Sequence, residues 1–279
     1  TDPVRSKNEQ RLLCEQLNLT GRVIVAKEGI NATLEGTTEN TEKYLKVFLA
    51  DPRFANTHIK RSVGTGQSFP KLSVKARKEI VSLHLENDIN PSEVTGTHLK
   101  PAELKKWYEE GKEFYVIDMR NDYEFNVGRF KDSVLMPVQN FRDIPSALAH
   151  IAHLKDKTVV PVCTGGVRCE KASGLLVREG FKDVYQLDGG IVTYMEQFPA
   201  SEFEGSLYVF DKRILMHFDP ADKHTVIGIC EKCQEKSERY VNCKNPRCNK
   251  HFLCCENCSE SDGRSFCSTE CRDKILTLI

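Results

Sequence analysis

The sequence predicts a multidomain chain of mixed α/β and α+β class: a small α+β unit, a parallel-sheet α/β unit and a small metal-held module. Three observations predict it. Two short strands lie between amphipathic helices within residues 1–90, strands and helices alternate over 97–200, and nine of the twelve cysteines crowd between Cys230 and Cys271. At 279 residues the chain has room for two or three domains.

Residues 1–90 read as a βαββαβ sandwich lacking its first strand. Asn8 to Leu17 has helical spacing of Leu12, Leu13 and Leu17, with Cys14 on the inward face. Arg22 to Ala26 and Ile30 to Leu34 read as strands, with Glu28-Gly29 as the tight turn between them. Thr38 to Leu49 is a second amphipathic helix with Tyr44, Leu45, Phe48 and Leu49 inward. His58 to Val63 supplies the last strand.

In 97–200, Pro101 opens a helix to about Glu110, with Thr97 or Lys100 near its start. Phe114 to Asp118 is a core strand, Ser133 to Met136 a short extended run, and Ile144 to Leu154 a helix. A strand to Cys163, a helix over 169–179 and a strand over 184–187 follow. This alternation implies a largely parallel sheet covered on both faces, whose ligands bind at the carboxyl ends of strands. Residues 201–229 read as a connector containing a strand at Leu207 to Phe210, and 230–279 as the cysteine-rich module.

Cys163-Thr164-Gly165-Gly166-Val167-Arg168 carries the chemistry. A cysteine at a strand end, before a glycine turn and a helix start, meets free backbone N–H groups and the positive end of the helix dipole. Its thiolate is stabilised, and its pKa should fall below the usual value of about 8.5. The two glycines let the backbone curl, and Arg168 adds a charge with fork geometry. A phosphatase loop uses the same cradle, but a phosphate-sized ring needs one residue more between cysteine and arginine. The smaller ring suits one sulfur carried as a persulfide. Cys169 can resolve an oxidised Cys163 as a disulfide, or simply pack in the helix. Asp118 and Arg120 end a strand near this edge and would brace the loop. Glu170 and Lys171 line the pocket or are solvated, and His150 and His153 read as surface residues.

The terminal cysteines fall in four pairs: Cys230/Cys233, Cys243/Cys248, Cys255/Cys258 and Cys267/Cys271. Four ordered pairs suit two tetrahedral, structural zinc ions. In a cross-braced arrangement Cys230, Cys233, Cys255 and Cys258 hold one ion, and Cys243, Cys248, Cys267 and Cys271 the other. A sequential arrangement is the alternative, Cys254 can replace Cys255, and His251 is a spare donor. Metal would supply the folding energy, about 10–16 kcal/mol per site, that so short and polar a segment lacks. No organic cofactor is evident.

The charges cancel, with forty basic and forty acidic residues, so any nucleic-acid contact must be local. Residues 53–78 supply it: seven Lys/Arg, no Asp or Glu, and Phe54, His58 and Phe69 interleaved. A solvated basic surface is the alternative. No stretch is long and apolar enough for a membrane span, and the first residues form no signal peptide. A cytoplasmic protein is expected.

Tyr115-Val-Ile-Asp118-Met-Arg120 with Glu124 and Gly128, the loop, and Val184-Tyr-Gln-Leu-Asp188-Gly-Gly190 together resemble the rhodanese superfamily. Gly128-Arg-Phe130 departs from the Gly-His-Ile usual there. Within it the chain resembles the tRNA uridine hydroxylases. The match is carried by Gly21-Arg-Val-Ile-Val-Ala-Lys-Glu-Gly-Ile-Asn-Ala-Thr33, Cys163-Thr-Gly-Gly-Val-Arg-Cys-Glu-Lys171, Asp188-Gly-Gly-Ile191 and Val209-Phe-Asp-Lys-Arg213. The resemblance covers nearly the whole chain. It implies a ferredoxin/acylphosphatase-like N-terminal domain, a rhodanese-like domain and a cysteine-rich extension. It also implies a persulfide-capable catalytic Cys163 and oxygen-dependent conversion of the wobble uridine of tRNA to 5-hydroxyuridine. Two alternatives stand beside it: a sulfurtransferase that takes sulfur from a small donor such as thiosulfate, and a non-enzymatic adaptor built on the zinc module.

Overall fold

The computed structural model describes residues 2–220, 223–259 and 265–276. The chain divides into two compact units, Thr1–Ser82 with Phe210–Arg213, and Leu83–Val209 with Ile214–Ile279.

In the first unit, α1 (Pro3–Gln16) starts on Asp2, whose carboxylate accepts from the Val4 and Arg5 N–H groups, with Pro3 in the first turn. β1 (Thr20–Ala26) and β2 (Gly29–Glu35) form an antiparallel hairpin closed at Ala26 and Gly29, so the turn is Lys27-Glu28. α2 (Thr38–Ala50) is capped by the Thr37 hydroxyl and buries Tyr44 and Phe48. Leu45 and Leu49 are half-buried, and Leu12, expected inward, is exposed. Cys14 is buried with Leu19, Tyr44, Phe48 and Phe54, and that burial pushes its thiol up to about 11.

The last strand is not His58 to Val63. Among the described residues that run forms no strand, and Val63 is 94% exposed. β3 (Leu72–Ala76) instead pairs parallel with β1, giving the order β2-β1-β3. Its Val74 packs with Val23 and Val25. The apolar–polar alternation of Leu72-Ser-Val-Lys-Ala suits a sheet with one buried face.

The second unit is built on a parallel sheet, β4-β9-β8-β5-β7: β4 (Thr97–Leu99), β5 (Tyr115–Asp118), β7 (Val134–Leu135), β8 (Thr158–Val162) and β9 (Asp183–Leu187). Adjacent residues feed opposite faces. Ile117 and Val159 join one core, Val116 and Val160 the other. Its main helices are α3 (Pro101–Glu109), α6 (Val167–Arg178) and α7 (Gly190–Gln197). Thr97 lies in β4 and caps nothing; Lys100 is the α3 N-cap. The expected helix at Ile144 to Leu154 is one α turn, α5 (Ile144–Ala147), followed by a 3-10 stretch at Leu148–Leu154.

After β5 come α4 (Asp122–Val127) and β6 (Gly128–Phe130). β10 (Phe203–Gly205) pairs with β6, and β11 (Leu207–Tyr208) with β12 (Leu215–Met216). Phe203, Leu207 and Val209 lie in the second core, so this stretch is no free tether. The cysteine-rich region holds β13 (Tyr240–Asn242) paired with β14 (His251–Leu253), then α8 (Thr269–Leu276). Its core is small: Val241, Phe252 and Phe266 among cysteines. Tyr240 anchors it to α4 by donating its hydroxyl to the Tyr123 carbonyl, and its ring stacks on His251.

Candidate active site and cysteine clusters

β8 carries Cys163 to the carboxyl edge of the sheet, and α6 begins after Gly166, which has φ +92°. The turn after β9 braces the loop. Ile191 N–H donates to the Cys163 carbonyl at 2.9 Å, and Val192 N–H to the Thr164 carbonyl at 3.0 Å. Gly190 (φ +69°) makes this approach possible. A Cβ there would sit 2.5 Å from the Gly166 nitrogen and 2.7 Å from the Cys163 oxygen. The Asp188-Gly-Gly190 motif is thus the second wall of the cradle.

Cys163 is 1% exposed. Burial pushes its thiol up, but that is outweighed by the Cys169 thiol, the Arg168 charge and the Cys169 and Arg168 backbone N–H groups, which bring it down to about 6. Cys169 is also fully buried, and burial plus the Cys163 sulfur push it well up. The shared proton therefore stays on Cys169, which donates to a Cys163 thiolate.

Arg168 does not aim its whole charge at the sulfur. Its guanidinium forks onto Glu124, Nη1 to Oε1 at 2.6 Å and Nη2 to Oε2 at 2.8 Å. Nη2 also donates to the Thr164 hydroxyl at 3.2 Å, and that hydroxyl donates to Glu124 at 3.3 Å. Glu124 is fully buried. Burial pushes its carboxyl up, and the Arg168 guanidinium overcomes this and holds it below the usual range. Sequence reasoning noted Glu124 as part of a motif but gave it no role in the site. Its second task is local: Oε1 accepts the Asn121 N–H at 3.0 Å, closing a capping box on α4. The spacing Asn121-x-x-Glu124 was the available signal.

Asp118 and Arg120 are fully buried and face each other, Nε to Oδ1 at 2.9 Å and Nη2 to Oδ2 at 2.6 Å, with Nη2 also donating to the Gly128 carbonyl at 2.5 Å. They tie β5 to β6. Lys171 is neither solvated nor in a pocket: it is 1% exposed and paired with Asp88 at 2.7 Å. Glu170 accepts from Thr95 and Gln186. His150 and His153 are exposed.

The C-terminal sulfurs form two groups, Cys230/Cys233/Cys255/Cys258 and Cys243/Cys248/Cys267/Cys271, each with its four Sγ atoms within 4.8 Å of one another. The grouping is cross-braced. Cys233–Cys255 is 3.5 Å, and Cys248–Cys267 and Cys267–Cys271 are 3.6 Å. These are too long for disulfide bonds. Four sulfurs about 2.3 Å from one ion stand about 3.8 Å apart in a tetrahedron, so the groups fit a metal ion. Cys254 belongs to neither; it is buried and contacts the Cys255 carbonyl. His251 is also outside them, stacked on Tyr240 and bonded to Tyr208 and Asn242.

The basic segment is partly neutralised. Arg53 is held by Asp51 and Glu9, and Arg61 by Glu42. Lys71, Lys75, Arg77 and Lys78 are exposed. Among the described residues no helix is long and apolar enough to cross a membrane.

Three family models match the chain: a UPF0176 acylphosphatase-like domain over residues 1–80, a rhodanese-like domain over 100–197 and a rhodanase C-terminal region over 204–272. A Bacillus cytotoxicus protein named tRNA uridine(34) hydroxylase is 45% identical over 274 residues, covering 97% of this chain and 84% of that one. A Cytophaga hutchinsonii protein of the same name is 42% identical over 271 residues, covering 97% and 86%. The chain belongs to the tRNA uridine(34) hydroxylase family. Among solved structures it is similar to the rhodanese-like domain of an Anabaena sp. protein, 23% identical over 40% of this chain and 80% of that chain, with a TM-score of 0.35. In this family member the rhodanese-like match holds Cys163, Arg168 and Glu124, and the C-terminal match holds all eight grouped cysteines.

Proposed function

We propose that the protein is an oxygen-dependent tRNA hydroxylase that converts the wobble uridine to 5-hydroxyuridine, with Cys163 as its redox-active group. The observation that carries this is identity above 40%, over 97% of the chain, to proteins named tRNA uridine(34) hydroxylase. The site supports it with a buried thiolate–thiol pair, Cys163 and Cys169, which is a two-electron store. Hydroxylation places one atom of dioxygen on the base. Closing the disulfide between the Cys163 thiolate and the Cys169 thiol releases two electrons and one proton, which with a second proton from solvent reduce the other atom to water. Arg168, Thr164 and Glu124 hold the loop, Gly165, Gly166 and Val167 shape it, and Asp118 and Arg120 brace its wall.

The two cysteine groups hold structural zinc: four thiolates leave no open position. Lys71, Lys75, Arg77 and Lys78 contact the tRNA backbone, and the protein works in the cytoplasm, where its substrate is. The test is the purified protein with unmodified tRNA under isotopically labelled dioxygen. One labelled oxygen should appear in uridine 34, with one Cys163–Cys169 disulfide per turnover when reductant is withheld. Unlabelled product, or wild-type 5-hydroxyuridine from Cys163→Ala, would refute the reading.

A second reading rests on the same thiolate and its two backbone donors. Cys163 attacks thiosulfate, forming a persulfide and releasing sulfite. Mass analysis after thiosulfate treatment should then show one added sulfur on Cys163; no adduct would remove this reading.

A further inference from the structure

We propose that His217, His224 and Glu238 form an open divalent-metal site of the two-histidine, one-carboxylate type, with ferrous iron as its fitting ion. None of the three belongs to the loop or to the cysteine groups. One ring nitrogen from each histidine and a carboxylate oxygen of Glu238 lie within 4.8 Å of one another. His224 Nε2 is 3.1 Å from both Glu238 oxygens, and the two imidazoles meet edge to face with centroids 4.5 Å apart. Donor atoms about 2.1 Å from one ion stand about 3 Å apart when adjacent. The His224–Glu238 separation already has that value. His217, which is exposed, supplies the third donor, within 4.8 Å of the other two.

The surroundings prepare His217 as a ligand. Ser206 is fully buried, and its hydroxyl donates to Glu238 Oε1. Having spent its one hydrogen there, Ser206 can only accept at its 2.9 Å contact with His217 Nδ1. His217 therefore carries its proton on Nδ1 and keeps the Nε2 lone pair for a cation. Fixing a ligand tautomer through the opposite ring nitrogen is the usual outer-shell arrangement of metal-bound histidine. A plain ion pair would account for His224 and Glu238 but not for this.

The donor set decides the ion. Thiolates select zinc, whereas two imidazoles and one carboxylate with vacant positions suit ferrous iron. The exposed His217 side leaves room for a diatomic ligand. The site is tied to α4 by sequence neighbours on both sides: Ser206 N–H donates to the Val127 carbonyl, and two residues after Glu238 comes Tyr240, the anchor on Tyr123.

The test needs no tRNA, so its failure is distinct from failure of the hydroxylase reading. The zinc-replete full chain is titrated anaerobically with Fe(II), desalted, and exposed to nitric oxide. One retained iron per chain should give the paramagnetic resonance signal of a nitrosyl iron with nitrogen and oxygen ligands. Glu238→Gln and His217→Ala should each weaken Fe(II) binding by about tenfold or more, the lower bound set by the loss of mere outer-shell partners. Zinc content should stay unchanged, and surface His153→Ala should bind like the wild type. Because His217 is exposed, its variant keeps the test open if Glu238→Gln fails to fold. No retained iron, iron that ignores both substitutions, or iron that gives no nitrosyl signal would overturn the proposal.

Discussion

Removing the Cys169 thiol should raise the pKa of Cys163. Of the interactions that lower Cys163 to about 6, the Cys169 hydrogen bond is the strongest. At that value the sulfur is about ten parts thiolate to one part thiol at pH 7. A hydrogen bond to a charged group contributes about 1.5–3 kcal/mol, and a thiol is a weak donor, so the lower end applies. At about 1.4 kcal/mol per unit, Cys169→Ala should move Cys163 up by about one unit. At pH 6 the thiolate fraction then falls from about one half to about one tenth, a roughly fivefold slower alkylation. The assay is alkylation rate against pH, read at Cys163 by peptide mass mapping. Cys14, pushed up to about 11, stays silent. Cys169→Ser keeps a donor and should retain most of the wild-type profile. Stability should follow with a definite sign. A thiol lowered by folding contributes stability at pH above its ordinary value, and that contribution is lost as pH falls through about 6. Cys169→Ala should narrow that loss. An alanine profile that overlays the wild type, or a serine variant as slow as alanine, would refute the account of the cradle.

Three further outcomes follow from the same geometry. Glu124→Ala takes the forked carboxylate partner from the buried Arg168 charge, so denaturant unfolding should show a loss of about 3 kcal/mol, the lower end for a broken buried pair because Thr164 and the Cys163 thiolate stay beside it; a change under 1 kcal/mol would contradict the clamp. Gly190→Ala drives a methyl into the Gly166 nitrogen, so Cys163 alkylation should lose its low-pH limb while the fold persists by circular dichroism; an unchanged profile would show that the second wall is dispensable. Chelation at neutral pH should expose the amides of 230–259 to hydrogen exchange while β5, β8 and β9 stay protected. Protection retained throughout would mean that the cysteine groups fold unaided.

What was legible in the sequence was local. The Cys163 loop and the paired cysteines announce themselves by spacing, because a turn, a helix start and a tetrahedral site each constrain neighbouring residues. What was illegible needed a partner far along the chain. Glu124 reaches Arg168 across forty-four residues, and nothing in either neighbourhood names the other. Thr97 read as a helix opener because Pro101 follows, yet β9 offered it a ladder. His58 to Val63 had strand-forming residues but no sheet edge, while Leu72 to Ala76, hidden between lysines, had one on β1. Lys171 read as pocket-lining or solvated, and Asp88, eighty-three positions earlier, makes it a buried ion pair.

The interleaving of the two sulfur groups also governs the order of events on a growing chain. The first group is complete once Cys258 has emerged, but the loop it closes already contains Cys243 and Cys248, half of the second group. The second group then waits only for Cys267 and Cys271, with two of its sulfurs held in place. Metal capture at the first group would therefore shorten the search at the second, and release from either would loosen half the donors of the other. The pair should load and empty as a unit, so a chain that stalls between residues 258 and 267 carries a fully formed first site and an open, thiol-rich half-site.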